Sequence, residues 1–274
     1  MQTGLTNQAR TEYEAQGYHL RTEPVVPANL VQGAVEGMDA IRAGDYDTGR
    51  PPEESPWNPG DDPAKLCKIE MPQFASRAVF DVISHTAIGR IAAELTGAEW
   101  VQVWWVQLLY KPTSPRDAQD DTHVGWHQDR YYWQCWEEGS ELFTAWVALS
   151  DVRSESGPML FLRGSHRWGM RDGSDFYAQD LASQKQGIQV PDGEKWDQVE
   201  ALLPPGGVSF HHNLTFHGSG PNTETQPRRS FAVHLRTDKS RPIDDRRDGL
   251  TEFIDDRSQC PVIFGADAPG SPGR

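Results

Sequence analysis

The chain has 274 residues and a formal charge of −14, from 26 Lys/Arg against 40 Asp/Glu; such an acidic surface repels nucleic acid and anionic lipid and excludes both as expected partners. The start Met1-Gln2-Thr3-Gly4 is polar, unlike a signal peptide, and no apolar run approaches the ~18–20 residues a membrane span needs, so a soluble protein is expected. Three cysteines (Cys67, Cys135, Cys260) form an odd number without metal-type spacing, which suits a reducing cytoplasm better than a disulfide framework.

Residues 1–24 are polar and read as surface, except that Gly17-Tyr18-His19-Leu20 opens a short strand. Leu30, Val31, Ala34, Met38 and Ile41 recur at helical spacing and predict a helix over 27–43. Residues 44–65 are rich in Asp, Gly and Pro and read as a long irregular connection. A second helix is expected over 74–95, where Val79, Val82, Ile83, Ile88, Ile91 and Leu95 form an apolar stripe and Gly97 follows as a stop.

Beyond Gly97 the pattern changes to short segments rich in Val, Leu, Phe and Trp between Gly/Pro turns, at 99–110, 141–150, 158–163, 198–203, 207–212 and 229–237. These predict a mainly β sandwich or barrel with the N-terminal helices packed outside it. One domain is expected, with 1–97 as helical and irregular support, 98–240 as the β core and 241–274 as a tail, loosely ordered from Asp255. The polar insertion 164–197 interrupts the strand rhythm and reads as a lid or binding loop.

The chemistry concentrates around one short motif. Among nine histidines, only His127 stands two residues before an aspartate, Asp129. On an extended segment such positions share one side, so imidazole and carboxylate can converge on one ion. A third ligand must come from elsewhere. His217 lies 90 residues on, at the end of the strand-like run 208–216, although His211, His212 and His234 compete for the role on spacing alone. Two imidazoles and a carboxylate on one face leave three positions for O2 and a bidentate co-substrate, the arrangement of non-haem Fe(II) oxygenases. Zinc accepts the same donors, but no helical motif with a Glu base accompanies them. Arg228-Arg229 follows His217 by eleven and twelve residues on the next predicted strand. A hairpin would return that strand beside the histidine, where a guanidinium could take the far carboxylate of 2-oxoglutarate. Trp126, Trp133 and Trp136, with Tyr131 and Tyr132 between, fit a pocket wall as well as ordinary core.

Several pieces in order resemble the phytanoyl-CoA dioxygenase family of Fe(II)/2-oxoglutarate oxygenases, over roughly 68–236. Trp126-His127-Gln128-Asp129 is similar to the proximal ligand motif, and Gln107-Leu108-Leu109-Tyr110-Lys111-Pro112 to the strand entering the site. Thr144-Ala145-Trp146, Gly157-Pro158 and Arg163-Gly164-Ser165-His166 resemble the middle strands and their turn. His217-Gly218-Ser219-Gly220-Pro221-Asn222 followed by Arg228 is similar to the distal motif with its arginine.

The resemblance implies a double-stranded β-helix (jelly-roll, cupin-like) core, with Fe(II), 2-oxoglutarate and O2 as cofactor and co-substrates. It places iron on His127, Asp129 and His217. It gives Arg228 and Ser219 the far carboxylate of 2-oxoglutarate, and Trp146, Gln107, Gln128 and Lys68 the rest of the co-substrate. Gln107 stands where some relatives carry Met. Halogenating relatives replace the carboxylate with a small residue, so Asp129 points to hydroxylation. Arg229, His211 and His212 read as structural or packing residues. Trp126, Arg130, Tyr132 and Trp133 are the candidate substrate residues, and an aromatic wall near Arg130 would suit a small metabolite with an apolar body and an anionic group. A monomer or simple homo-oligomer is expected. A catalytically silent metal-binding jelly roll and a cupin-like metal hydrolase or isomerase remain the other two classes.

Overall fold

The computed structural model describes residues 2–114 and 122–267. Its frame is two antiparallel sheets facing each other. The larger sheet uses β1 (Tyr18–Arg21), β2 (Cys67–Glu70), β3 (Val101–Lys111), β5 (Leu142–Ala148), β8 (Val208–His212), β10 (Arg228–Thr237) and β11 (Val262–Phe264). The smaller uses β4 (Val124–His127), β6 (Met159–Leu162), β7 (Gln198–Ala201) and β9 (His217–Ser219). The strand orders are β1-β8-β5-β10-β3-β11, with β2 also on the outer edge of β3, and β4-β9-β6-β7. This is the jelly roll expected from the alternation of short apolar segments and turns.

Side-chain alternation sorts each strand of the large sheet into two faces. Phe231, Val233 and Leu235 of β10 and Val101, Val103, Val106 and Leu108 of β3 join the main core, while Ala232 and His234 of β10 line the cavity between the sheets. The switch from odd to even positions along β3 has a local cause. His234 pairs with Trp105 and Leu235 with Val103, so Trp104 is an extra, bulged residue. After that bulge Gln107 and Leu109 face the inter-sheet space.

Three helices cover the outer face of the large sheet: α2 (Ala28–Ala43), α3 (Arg77–Ile83) and α4 (Thr86–Thr96). The α2 stripe Val31, Ala34, Met38 and Ile41 is buried as its spacing predicted, and Gly44 ends the helix at φ 86°. The single helix expected over 74–95 is instead two. At the break, Ser84 caps α3, and its N–H (2.9 Å) and hydroxyl (2.7 Å) both donate to the Phe80 carbonyl.

Two expectations are corrected at the ends of the chain. Residues Gln2–Gln16 form a helix, α1, not merely polar surface. It carries no apolar stripe to announce it; Tyr13 is its buried anchor, and pairs such as Arg10–Glu14 (2.9 Å) support its exposed side. The tail is not loose where it is described. Cys260 and Ile263 are fully buried, and Val262–Phe264 adds to the edge of β3, because three apolar residues suffice for a strand once an edge is available. Residues 268–274 of that tail lie outside the described residues. Among the described residues no helix is long and apolar enough to cross a membrane, and the three cysteines are free.

A candidate metal centre between two chambers

His127, Asp129 and His217 come together between the sheets, all buried, with their ligand atoms within 4.8 Å of one another. β4 and β9 are paired neighbours with His127 opposite His217, and the imidazole centroids are 4.0 Å apart. A register shift in β4 between Val124 and His127 turns His127 inward, and Trp126 consequently faces away. The insertion crosses directly over this strand. A Cβ on Gly125 would lie 2.0 Å from the Asp175 carbonyl, so a glycine is required there.

Hydrogen-bond accounting fixes the protonation of the donors. His127 Nδ1 lies 2.8 Å from the Gly125 carbonyl and His217 Nδ1 lies 2.9 Å from the Thr215 carbonyl. A carbonyl can only accept, so both Nδ1 atoms carry the proton and both Nε2 atoms offer a lone pair. Those Nε2 atoms sit 3.7 and 3.6 Å from Asp129 Oδ1. These contacts are therefore not ion pairs: three unprotonated donors converge on one point. Burial pushes both imidazoles below their ordinary range, and for His217 the neighbouring His127 adds to the effect. A divalent cation fits this set, since one negative charge and two neutral imidazoles otherwise have nothing to balance.

The outer oxygen of Asp129 is held separately. Thr144 donates its hydroxyl to Oδ2 at 2.8 Å, and His211 Nε2 lies 3.3 Å from the same oxygen. Thr144 and His211 are register partners on β5 and β8, so adjacent strands grip one atom. Thr144 spends its only proton on Asp129, so His234 Nδ1, at 2.9 Å from Oγ1, must be the donor in that contact. The arrangement leaves Oδ1 as the single carboxylate ligand and keeps the open coordination positions free.

On one side of the triad lies an inner chamber lined by Gln107, Trp146, Ser219 and Arg228 with the ligands themselves. Its far end is cationic, with no acid among the described residues that line it. Arg228 is buried, donates to the Gly157 carbonyl and stacks over Trp146 at 5.2 Å, while its Nε lacks a partner. Opposite it in the sheet is Lys111, fully buried, donating to Ser219 Oγ at 2.7 Å and to the Gly220 carbonyl. Burial and the Arg228 charge push the Lys111 ammonium well below its ordinary range, and burial brings Arg228 down to about 9. Because Ser219 accepts from Lys111, its own O–H is left to donate into the chamber. Ser219 follows His217 by two residues on the same face of β9.

The route to this arrangement differs from the sequence expectation. β8 ends at His212, not at 216, and the chain crosses to the small sheet before His217 opens β9. β10 then lies back in the large sheet, so no hairpin joins the two strands. Arg228 reaches the chamber across the sandwich, while Arg229, one residue on, turns outward to Asp39 at 3.2 Å.

The other side of the triad opens into an outer chamber of 180 Å³, lined by Lys68, Trp105, Tyr132, Trp133, Phe176 and Tyr177 among others. Tyr132 and Trp133 stand here as the sequence suggested, and Gln107, His127, Asp129, Phe176 and His234 are shared with the inner chamber. Lys68 is also on this side and not beside Arg228.

Three candidates are placed elsewhere. Trp126 packs into a separate apolar cluster with Trp168 and Phe216, because it sits on the opposite side of β4 from His127. Gln128 is fully buried but spent on the backbone: its amide donates to Gly169 (2.9 Å) and Leu214 (2.7 Å), and its carbonyl accepts from Arg171 N (2.9 Å). Arg130 donates to the Trp133 and Trp136 carbonyls and staples its own turn. Conversely, Lys111, Thr144 and Phe176 contribute to the site without having been singled out. The available signal for Lys111 was its position two and four residues after Leu109 and Gln107 on one strand.

Comparisons with known proteins agree with this geometry. The sequence matches the model of the phytanoyl-CoA dioxygenase (PhyH) family over residues 13–230. It is 25% identical over 232 residues, 81% of this chain and 75% of the other, to the "probable alpha-ketoglutarate-dependent hypophosphite dioxygenase" of Stutzerimonas stutzeri. Among solved structures, the epimerase SnoN in complex with Fe3+, alpha ketoglutarate and nogalamycin RO superposes with a TM-score of 0.69 at 23% identity, covering 99% of this chain and 93% of that one. The alpha ketoglutarate dependent carbocyclase SnoK from nogalamycin biosynthesis gives 0.64 at 23% identity, covering 86% and 85%. By the extent of the family match, this chain belongs to the phytanoyl-CoA dioxygenase family.

Proposed function

We propose that the protein is an Fe(II)/2-oxoglutarate-dependent dioxygenase that hydroxylates an unactivated C–H bond of a small molecule. The observation that carries this reading is the pairing of two features in one cavity: three converging unprotonated donors at one end and the buried Arg228 at the other, with no acid among the described residues that line that end. A dicarboxylate that chelates a metal through its keto acid and ends in a second carboxylate satisfies both. Iron bound to His127, Asp129 and His217 supplies the oxidising chemistry, consuming O2 and 2-oxoglutarate and releasing succinate and CO2.

The chain's own groups set the geometry for that chemistry. Arg228 and the Ser219 hydroxyl take the far carboxylate, with Lys111 fixing the serine from behind. Trp146 lies under the guanidinium and walls the co-substrate. Thr144 keeps Asp129 on a single oxygen. The carboxylate at 129 leaves no vacancy for a halide, which supports hydroxylation as the outcome. A hydrolase would need a free general base, and Glu70, the acid of the outer chamber, already accepts from Lys68 (3.0 Å), Trp105 (2.6 Å) and Gln107 (3.3 Å).

The test is succinate release from purified protein with Fe(II) and 2-oxoglutarate, measured with and without O2 across a substrate panel. O2-dependent succinate with an oxygen-bearing product is the expected result. Substrate turnover that persists without O2 would instead establish a hydrolase or isomerase, and the absence of any turnover with metal bound would point to a silent metal-binding protein.

A further inference from the structure

The outer chamber carries a substrate class, given the reading that iron and 2-oxoglutarate occupy the triad and the inner chamber. We propose that it takes a planar, ring-bearing molecule whose carboxylate docks on Lys68.

Ring-shaped walls surround the space. Phe176 stands 5.2 Å from the His127 ring and Tyr132 stands 6.0 Å from it, centroid to centroid, so both flank the metal side of the chamber. Trp105 and Trp133 complete the lining. Such walls favour a flat apolar body through stacked or edge contacts, each worth ~0.5–1.5 kcal/mol beyond burial. The walls are also fixed. The Tyr132 hydroxyl accepts from Phe176 N–H at 2.8 Å, and Gly125 N–H donates to the Phe176 carbonyl at 2.9 Å, so the insertion is fastened to both sides of the ligand strand.

Aromatic cages often hold cations, but here the cationic place is filled by the chain itself. Lys68 Nζ lies 4.6 Å from the Phe176 ring centroid and 5.9 Å from that of Tyr177. Its ammonium pairs with Glu70 at 3.0 Å and lines the chamber. An ammonium carries three N–H donors, so the pair with Glu70 leaves donors for a ligand in the chamber. Glu70 is paired with Lys68 and also accepts from Gln107 and Trp105, so its charge is balanced within the chain. Arg130, the other cation near this wall, is occupied by the Trp133 and Trp136 carbonyls. The acceptor of the substrate therefore meets Lys68, with its ring between Phe176 and the Tyr132–Trp133 side.

The test uses four probes with the full-length protein: indole-3-acetate, its neutral isostere indole-3-acetamide, the cation tryptamine, and the ringless acid hexanoate. Binding is read by isothermal titration calorimetry in the metal-free protein, so the result does not depend on iron. The visible charge-transfer absorption of the anaerobic Fe(II)–2-oxoglutarate complex tests the iron reading separately. Indole-3-acetate is expected to bind at least ~10-fold more tightly than the other three, as a charge-assisted hydrogen bond and ring contacts together require. In Lys68→Met the preference for acetate over acetamide should vanish while the affinity for 2-oxoglutarate stays unchanged. Equal binding of the acid and the amide, or of hexanoate and indole-3-acetate, would overturn the proposal. So would a Lys68→Met protein that loses 2-oxoglutarate affinity and keeps the probe preference, which would return Lys68 to the co-substrate.

Discussion

The two chambers that meet at the triad are built by different means. The inner one is made almost wholly of strand residues, with side chains at alternate positions of β3, β5, β9 and β10 converging on one line from metal donors to cation pair. The outer one adds to strand residues of β3, β4 and β10 the edge strand β2, a turn after β4 and the insertion, with Tyr177 and the shared Phe176 arriving on a loop. Strand pairing fixes positions to within a hydrogen-bond register, so it suits groups whose geometry the chemistry dictates. Loops change sequence and length at little cost to the frame, so they suit the walls that select a substrate.

The largest effect is expected where the two chambers share atoms. Asp129→Ala removes the one charged donor and should abolish both stoichiometric metal binding, read by metal analysis, and succinate production. Arg228→Met touches the inner chamber alone. Losing a charge-assisted pair costs about 2–3 kcal/mol, so the KM for 2-oxoglutarate should rise ~30–150-fold, while probe binding in the outer chamber is unchanged. An equal loss in both would mean that the chambers are not separable. Thr144→Val releases Asp129 Oδ2 and should weaken Co(II) affinity ~10-fold or more, with a change in the Co(II) d–d spectrum as the carboxylate becomes free to bind through both oxygens. An unaltered spectrum would remove the threonine from the account.

Stability against pH tests the burial of two histidines of the large sheet, His212 on β8 and His234 on β10. Burial lowers His212 to about 4 and His234 to about 3. Groups with depressed folded values bind fewer protons folded than unfolded. Their stabilising contribution is therefore complete above the unfolded value near 6.5 and is lost as pH falls toward 4 and then 3, by up to ~1.4 kcal/mol per unit per histidine. Thermal melts of the metal-free protein should show Tm falling below about pH 6.5; a flat profile down to pH 4.5 would contradict the burial of neutral imidazoles. The smallest effect is expected for Tyr132→Phe, which removes the acceptor for Phe176 N–H and should cost ~1 kcal/mol, with probe binding in the outer chamber weakened a few-fold.

What was legible in the sequence follows the same division. The β core, α2 and the triad could be read because alternation, helical spacing and a His-x-Asp pair leave local marks. The bulge at Trp104 left none, although it sets which side chains of β3 face the chamber, since it depends on pairing with β10. Gln128 shows the limit from the other side. It sits within the ligand motif and looks like a cofactor contact, yet alternation turns it away from His127 and Asp129 and onto backbone carbonyls. Arg130 likewise satisfies its own turn, and the cation that faces the aromatic wall is Lys68, 62 residues earlier. Contacts of that separation are visible only once the sheets are assembled.

The central claim is that one cavity holds iron at the triad and 2-oxoglutarate stretched to Arg228. Anaerobic titration tests it most directly: Fe(II) first, then 2-oxoglutarate, followed by visible absorption in the wild type and in Arg228→Met. The account predicts a charge-transfer band that saturates at one 2-oxoglutarate per iron in the wild type, with ~30–150-fold weaker saturation in the variant. A protein that binds iron but shows no band with 2-oxoglutarate, or a band with equal affinity in both proteins, would contradict it.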